Sequence, residues 1–153
     1  MEPLGPGDLL RPWQEDPASF VAAEFTVLTP AMVAILDREF LTRAAAFPEV
    51  LDALLERTMR RIRFNAVLAA LKGMVGVDQR LLALMWTLAE HSGAMVGNHA
   101  FLPLELSQSD LAALVAARRQ SVSKALGELQ AQGAIERAAG GWILRGEPPE
   151  IRT

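Results

Sequence analysis

The pattern of hydrophobic and polar positions predicts a chain that is mainly α-helical. Apolar residues recur every three or four positions in three long stretches, which places them on one face of a helix. The predicted helices cover residues 30–46, 48–74 and 77–93. Pro30 and Pro48 open the first two, because the fixed φ of proline suits the first helical position.

The second predicted helix indicates a dimer. At about 27 residues it is roughly twice as long as the average globular helix. Some of its positions alternate in steps of four and three, as the seam of a coiled coil does. The predicted seam residues are Leu51, Leu55, Thr58, Ile62, Asn65 and Ala69. Packing within a single chain would explain the same pattern, but a helix of this length outruns the core of a small domain. We therefore expect a homodimer, with Asn65 placed to fix its register.

Shorter patterns predict β-structure. A half-buried strand is expected within residues 20–29, where Phe25, Val27 and Leu28 suit such a strand. Two short apolar pieces flank Gly97-Asn98, a pair that favours the tight turn of a hairpin. The fold class expected from the whole pattern is mainly α with a smaller β part (α+β).

From residue 107 onward, the pattern reads as short helix, tight turn, helix and hairpin. Ser107 and Asp110 resemble a capping box that starts the short helix. The next helix includes the stretch 117–129, which has an apolar and a polar face. A second hairpin follows, with Gly140-Gly141 expected at its tip. This order of elements predicts a winged helix-turn-helix.

The polar face of the helix after the turn carries donors that suit DNA, although an ordinary solvated face would look similar in isolation. Arg119 can donate two hydrogen bonds to guanine, and Gln120 can pair with adenine. Lys124, about one turn further on, can reach a base or a phosphate. We therefore expect base contacts from these three residues. The predicted phosphate contacts are Arg118, Ser121, Ser123 and Arg137.

Composition narrows the possible functions. The formal net charge is −3, but three of the five basic residues in 104–146 fall within 118–124, so a DNA footprint would be small. The chain has no cysteine and only two histidines, His91 and His99, so no metal site is expected. No catalytic or phosphate-loop motif is present, and neither an enzyme nor a cofactor is expected. No apolar run long enough to cross a membrane occurs, and a cytoplasmic protein is the simple interpretation.

Residues 48–146 resemble the C-terminal half of Crp/Fnr-type bacterial transcription regulators. The resemblance rests on the long helix, on "VDQRLLALMWTLAEHSG", on "LPLELSQSDLAALVAARRQSVSKALGELQAQGAI" and on "GGWIL". The family pattern R-x-x-V-x-[RK]-x-L-x-x-L is matched by Arg119, Val122, Lys124, Leu126 and Leu129. The resemblance implies dimerisation through the long helix and base contacts by Arg119, Gln120 and Lys124. It also implies RNA polymerase as a partner.

The chain departs from the family in two places. The family often has glycine in the turn before its DNA-reading helix, whereas this chain has Ala116-Ala117, and alanine in a left-handed conformation costs on the order of 1 kcal/mol. At the front end, "LGPGDLL" resembles the glycine bend of the sensor β-roll, but no phosphate-contacting segment follows it. Cyclic-nucleotide binding is therefore not expected.

The expected organisation is a β-roll remnant over 1–28, a linker with the dimerisation helix over 29–75, a winged helix-turn-helix domain over 76–146 and a tail over 147–153. The expected function is sequence-specific binding of double-stranded DNA by a homodimer, with a recognition helix over 119–132 in the major groove. The alternative is a dimeric winged-helix module that binds proteins and does not read DNA. The low net charge favours this alternative slightly, and the salt dependence of binding separates the two.

Overall fold

The computed structural model describes residues 2–9, 25–28, 30–92, 95–96 and 99–150. It contains five helices and one small sheet among these residues, so the predicted α+β class is confirmed. The chain divides into two compact units. One unit is residues 7–61, and the other combines residues 1–6 with 62–153.

In the first unit, helix α1 (Arg38–Ala44) is much shorter than predicted. Asp37 caps it, with its carboxylate accepting a hydrogen bond from the Phe40 amide at 2.7 Å. Residues 30–37 are not helical, so the prediction of a helix starting at Pro30 is wrong. Met32 and Val33 are almost fully exposed, and an apolar helical face without a packing surface does not stabilise a short helix.

The strand predicted within residues 20–29 is also not observed where the structure can be described. Residues 25–28 have no strand conformation, and Phe25, Val27 and Leu28 are exposed. Residues 20–24 and 29 lie outside the described residues. β-Propensity reflects packing on a sheet, and no neighbouring strand pairs with residues 25–28 in the described part of the chain.

Helix α2 spans Pro48–Leu71, so the long second helix is confirmed. It ends three residues earlier than predicted. The amides of Lys72, Gly73 and Met74 bond to carbonyls three residues back, which tightens the chain into a turn. Gly76, with a φ of +87°, follows and leads into the next helix.

The second unit contains the remaining elements in an alternation of helices and hairpins. They are α3 (Val77–Ser92), β1 (Met95–Val96), β2 (His99–Leu102), α4 (Gln108–Leu114), α5 (Arg119–Ala131), β3 (Ile135–Ala138) and β4 (Gly141–Arg145). The strands form one antiparallel sheet in the order β1-β2-β4-β3. Both predicted hairpins are therefore present, and pairing of β2 with β4 joins them into a single sheet. The turn residues Gly97 and Asn98 lie outside the described residues.

The core of this unit forms around α3. Leu81, Leu84, Met85 and Trp86 are at most 2 % exposed, and α5 and β2 pack against their helix. The apolar faces of α4 and α5 close the other side of the core. Burying a leucine-sized side chain contributes roughly 1.5–3 kcal/mol, so this face-to-face packing is the main force that fixes the positions of α4 and α5.

The tip of the second hairpin lies one residue earlier than predicted. Ala138 pairs with Gly141, so the two turn residues are Ala139 and Gly140, and Gly140 has a φ of +76°. Gly141 is instead the first residue of β4. A Cβ there would overlap the carbonyl oxygen of Leu102 and lie 3.2 Å from the Cα of Pro103. Glycine at 141 therefore allows the close approach of β2 and β4.

Gly141→Ala is expected to lower the free energy of unfolding by about 1–3 kcal/mol, since the added methyl group must push two backbones apart. Thermal unfolding measures the effect. Gly127→Ala is the matched control, because a Cβ at this exposed position of α5 meets no atom within 4 Å. Alanine there should stabilise the helix by about 1 kcal/mol. Equal melting temperatures for the two variants would contradict the role given to Gly141.

Candidate nucleic-acid interface and dimer seam

Helix α4 begins at the capping box predicted from the sequence. The Ser107 hydroxyl accepts a hydrogen bond from the Asp110 amide at 3.1 Å, and the Asp110 carboxylate accepts one from the Ser107 amide at 3.0 Å. Leu111, Leu114 and Val115 are buried, as expected for the inner face of this helix. The box fixes where a helix of only seven residues starts, and the buried face fixes its orientation.

The turn between α4 and α5 contains a left-handed alanine. Ala116 has a φ of +51° and is the one residue other than glycine with positive φ among those the structure describes. The Ala117 amide donates to the Ala112 carbonyl at 2.9 Å, which is the long hydrogen bond of a Schellman motif. The departure from glycine noted in the sequence therefore falls on the residue that carries the left-handed conformation.

Ala116→Gly is expected to raise the free energy of unfolding by about 0.5–1 kcal/mol. Removing the Cβ relieves about 1–2 kcal/mol of left-handed strain, and the greater freedom of glycine in the unfolded chain offsets about 0.4–1 kcal/mol. Thermal unfolding should show a melting temperature a few degrees higher. Ala113→Gly, at an exposed helical position of α4, should instead lower stability. If both substitutions destabilised the chain, Ala116 would not be strained.

Helix α5 presents most of the predicted DNA-contacting residues on one exposed face. Val122, Ala125, Leu126 and Leu129 are buried on its other face. The exposed members of the predicted set are Arg118, Arg119, Gln120, Ser123 and Lys124. Ser121 is half-buried, so it is the least accessible of the predicted phosphate contacts.

The N-terminal end of α5 offers several free hydrogen-bond donors. Arg118 occupies the N-cap position, and its side chain does not cap the helix. The amides of the first turn therefore have no intrahelical acceptor. The guanidinium groups of Arg118 and Arg119 form no hydrogen bond or ion pair with any residue that the structure describes. A helix N-terminus with two unpaired guanidinium groups is well suited to an anion such as phosphate.

The other cations of this surface are paired with carboxylates. Lys124 lies 3.6 Å from Glu128 in the next turn of α5. Arg137 lies 3.6 Å from Glu105 and stacks on the Trp142 ring, with its guanidinium carbon 4.7 Å from the ring centroid. Exposed ion pairs of this kind contribute at most about 1 kcal/mol, so an approaching phosphate can displace the carboxylates at low cost. Sequence reasoning did not find Glu105, because this pair joins residues 32 positions apart.

The hairpin β3–β4 carries a further paired arginine. Arg145 lies 2.6 Å from Glu136 on the neighbouring strand and 3.2 Å from the Nε2 atom of His99. The second histidine, His91, stacks on Phe64 with the ring centroids 4.3 Å apart. Among the residues described, no group of three or more potential ligands could hold a metal ion.

A groove of about 460 Å³ runs between α4, α5 and the hairpin β3–β4. Ser123 and Arg137, two of the predicted phosphate contacts, line the same groove together with Gln108 and Gln130. The fold thus brings together donors that are distant in the sequence. Gln108 was not predicted, because its position beside α5 depends on how the two helices cross.

The predicted seam residues lie on α2, and most of them are exposed. In the unit of residues 7–61, these are Leu51, Leu55 and Thr58, whose hydroxyl donates to the Leu54 carbonyl of its own helix. In the other unit, Ile62 and Ala69 are exposed. Asn65 is half-buried and donates to the Glu2 carboxylate at 2.9 Å.

This geometry defines a winged helix-turn-helix protein. Residues 79–147 match the family model of the Crp-like helix-turn-helix domain. This part of the chain is therefore similar to the Crp-like helix-turn-helix domain, and the predicted resemblance to Crp/Fnr-type regulators is confirmed for these residues.

Solved structures agree with this fold. FixK2 from Bradyrhizobium japonicum is 21 % identical with a TM-score of 0.55, over 72 % of this chain and 55 % of that one. A CooA mutant from Carboxydothermus hydrogenoformans is 21 % identical with a TM-score of 0.55, over 72 % and 50 %. CprK in complex with OCPA is 18 % identical with a TM-score of 0.53, over 70 % and 50 %. The chain thus spans about half the length of these proteins, and at these identities the likeness shows the fold alone.

No curated protein matches the chain. No helix in the described part of the chain has the length and apolar character needed to cross a bilayer.

Proposed function

We propose that this chain is a sequence-specific DNA-binding transcription regulator that acts as a homodimer. The observation that carries the proposal is the exposed polar face at the start of α5, where the side chains of Arg118 and Arg119 have no partner among the described residues. In a helix-turn-helix, the second helix enters the major groove with its N-terminal residues against the base edges. In this proposal Arg119, Gln120 and Lys124 contact bases.

The proposed phosphate contacts lie around this face. Arg118 and the free amides of α5 would hold one phosphate at the helix N-terminus. Ser123 and Arg137 line one groove, and their donors would follow the backbone of the neighbouring strand. Ser121 is half-buried and would contribute the least.

The proposed dimer forms through α2. Leu51, Leu55 and Ile62 lie on this helix at seam spacing, and between 42 % and 61 % of each is exposed. Isolated apolar side chains at these steps of four and seven are typical of a helix that pairs with a second helix. A symmetric pair would present two copies of α5 to successive major grooves of a pseudo-palindrome.

The proposed organisation follows from these roles. Residues 76–146 read DNA, residues 29–75 provide the linker and dimerisation helix, and residues 147–153 are a tail. Residues 1–28 are proposed to be the remnant of a sensor domain. The proposed setting is the bacterial cytoplasm, with RNA polymerase as a second partner.

A competing function is a dimeric winged-helix module that binds another protein. The observation that favours it is the pairing of Lys124, Arg137 and Arg145 with carboxylates, which leaves little free positive charge on the helix-turn-helix and its hairpin, residues 107–146, outside the N-terminus of α5. DNA binding would then depend on few phosphate contacts. The salt dependence of binding would accordingly be modest if the chain reads DNA, and absent if it does not.

Selection from a pool of random duplexes at low salt, using the full chain, tests the proposed function. The expected result is an enriched pseudo-palindrome with half-sites about 10 base pairs apart. Affinity for the selected site should fall linearly with the logarithm of the salt concentration. Arg43→Ala, which removes an exposed arginine far along the sequence on α1, is the control for loss of charge alone. Failure to bind any duplex at low salt would favour the protein-binding module.

A further inference from the structure

The first turn of α3 is joined to the turn between α4 and α5 by one arginine. The Nη1 atom of Arg80 donates to the Val115 carbonyl at 2.9 Å and lies 3.5 Å from the Ala116 carbonyl. Its Nε atom lies 3.4 Å from the Gly76 carbonyl at the start of its own helix. The side chain is half-buried, and the hydrogen bond to the Val115 carbonyl is partly shielded from water, whereas the contacts with Ala116 and Gly76 are exposed. No feature of the sequence pattern marks this residue, because 35 positions separate it from Val115.

The two carbonyls that Arg80 contacts need a donor. Val115 is the C-cap of α4, and the last carbonyls of a helix have no intrahelical partner. The negative end of the helix dipole also favours a cation at this place. Ala116 carries the left-handed conformation of the turn, which an alanine adopts only at a cost. Arg80 therefore stabilises the turn at its strained residue.

Apart from the backbone hydrogen bond from Ala117 to Ala112 and the packing of Ala117 against the core, few contacts fix the start of α5. The N-cap residue Arg118 makes no side-chain cap, and the first buried residue of the helix is Val122. The residues before it, Arg118 to Ser121, are exposed or half-buried. The direction in which Arg119 and Gln120 leave the domain thus depends on the conformation of the turn that precedes them.

We propose that Arg80 is a positioning residue for DNA reading, which holds the α4–α5 turn in its left-handed form and so orients the first turn of α5. This inference rests on the proposed function. Arg80 does not contact DNA in this scheme. Its loss should therefore reduce the preference for the selected site over other sequences and leave the number of phosphate contacts unchanged.

The test compares Arg80→Met, Arg80→Lys and the control Arg43→Met in the full chain. Arg80→Met is expected to bind the selected site about tenfold more weakly and random duplex as well as the control does. The slope of affinity against salt should stay that of the parent, whereas loss of a phosphate contact would lower it by about one. Arg80→Lys keeps the charge and an N–H donor group but loses the fork of the guanidinium, so its affinity should fall between those of the parent and Arg80→Met.

A second substitution separates positioning from a general loss of stability. Ala116→Gly makes the left-handed conformation accessible without help, so Arg80→Met combined with Ala116→Gly should recover most of the preference for the selected site. Stabilising the later part of α5 with Gly127→Ala, away from the turn, should not recover it. The proposal would be overturned if Ala116→Gly and Gly127→Ala restored the site preference of Arg80→Met to the same degree, or if neither restored it.

Hydrogen exchange at the Ala117 amide measures the stability of the turn in the absence of DNA. This amide donates to Ala112 across the turn, and Arg80→Met should make its exchange about tenfold faster, with recovery on adding Ala116→Gly. Unchanged exchange would overturn the proposal. Faster exchange without loss of site preference would also overturn it. If the parent chain bound no duplex, the proposed function would fail, and exchange alone would still show whether Arg80 holds the turn.

Discussion

Leu55→Asp is expected to convert the proposed homodimer into a monomer. Leu55 lies on the proposed seam of α2 with 61 % of its surface exposed, so in the proposed dimer it would pack against the second chain. Burying a leucine contributes roughly 1.5–3 kcal/mol, and the dimer contains the residue twice. An aspartate would also place two like charges at the interface. Dimerisation should weaken by at least about 100-fold, which sedimentation equilibrium measures directly.

DNA binding should fall together with dimerisation. A monomer holds one half-site of a pseudo-palindrome and loses the effective concentration that the second half-site receives from linkage. Affinity for the full site should drop on the order of 100-fold, whereas affinity for an isolated half-site should stay the same. Ala53→Asp is the matched control, because it adds the same charge at an exposed position two residues away, on the opposite side of α2. A dimer equally weakened by both substitutions would show that the seam is misplaced.

The elements that were predicted well are those whose signals lie close together in the sequence. Ser107 and Asp110 form the capping box because the two partners are three residues apart, and the alternation of apolar positions placed the buried faces of α4 and α5 correctly. The hairpins followed from pairs of turn residues. These signals depend on local backbone geometry, which neighbouring residues determine with little influence from the rest of the chain.

The wrong or missing predictions concern features that depend on contacts between residues far apart in the sequence. Residues 30–37 have the apolar spacing of a helix, but Met32 and Val33 are almost fully exposed, and the helix begins only at Arg38. Gly141 seemed a second turn glycine, and its role beside Leu102 depends on the pairing of two hairpins. Arg80 and Glu105 were missed for the same reason, since each acts on a residue more than 30 positions away.

For the candidate site, the exposed residues of α5 agree with the polar face that the sequence predicts. The sequence does not show which of its cations are paired with carboxylates. Lys124 and Arg137 read as free cations in the sequence, but each has a carboxylate within 3.6 Å. Arg118 and Arg119 have none among the described residues. Because Arg118 and Arg119 need not leave a carboxylate to bind DNA, we expect the N-terminus of α5 to contribute more to the DNA affinity than Lys124 and Arg137 do.

Arg119→Ala should therefore be the most damaging single substitution on the DNA-reading face. A bidentate contact from arginine to guanine contributes about 1–3 kcal/mol of discrimination, and Arg119 gives up no ion pair within the described residues to make it. Affinity for the selected site should fall by about 5- to 150-fold for each of the two half-sites. The preference should relax at one base pair in each half-site and remain at the others.

Arg118→Ala is the informative comparison, since it removes the same charge one residue away. Arg118 is proposed to hold a phosphate in each subunit, so its loss should weaken binding to all sequences to a similar degree and lower the salt slope of the dimer by about two. A repeated selection from random duplexes with each variant measures both quantities. If Arg119→Ala kept the full sequence preference and lost only salt dependence, Arg119 would hold a phosphate. The base contacts would then have to come from Gln120 and Lys124, and Lys124 would first have to leave its carboxylate partner, Glu128.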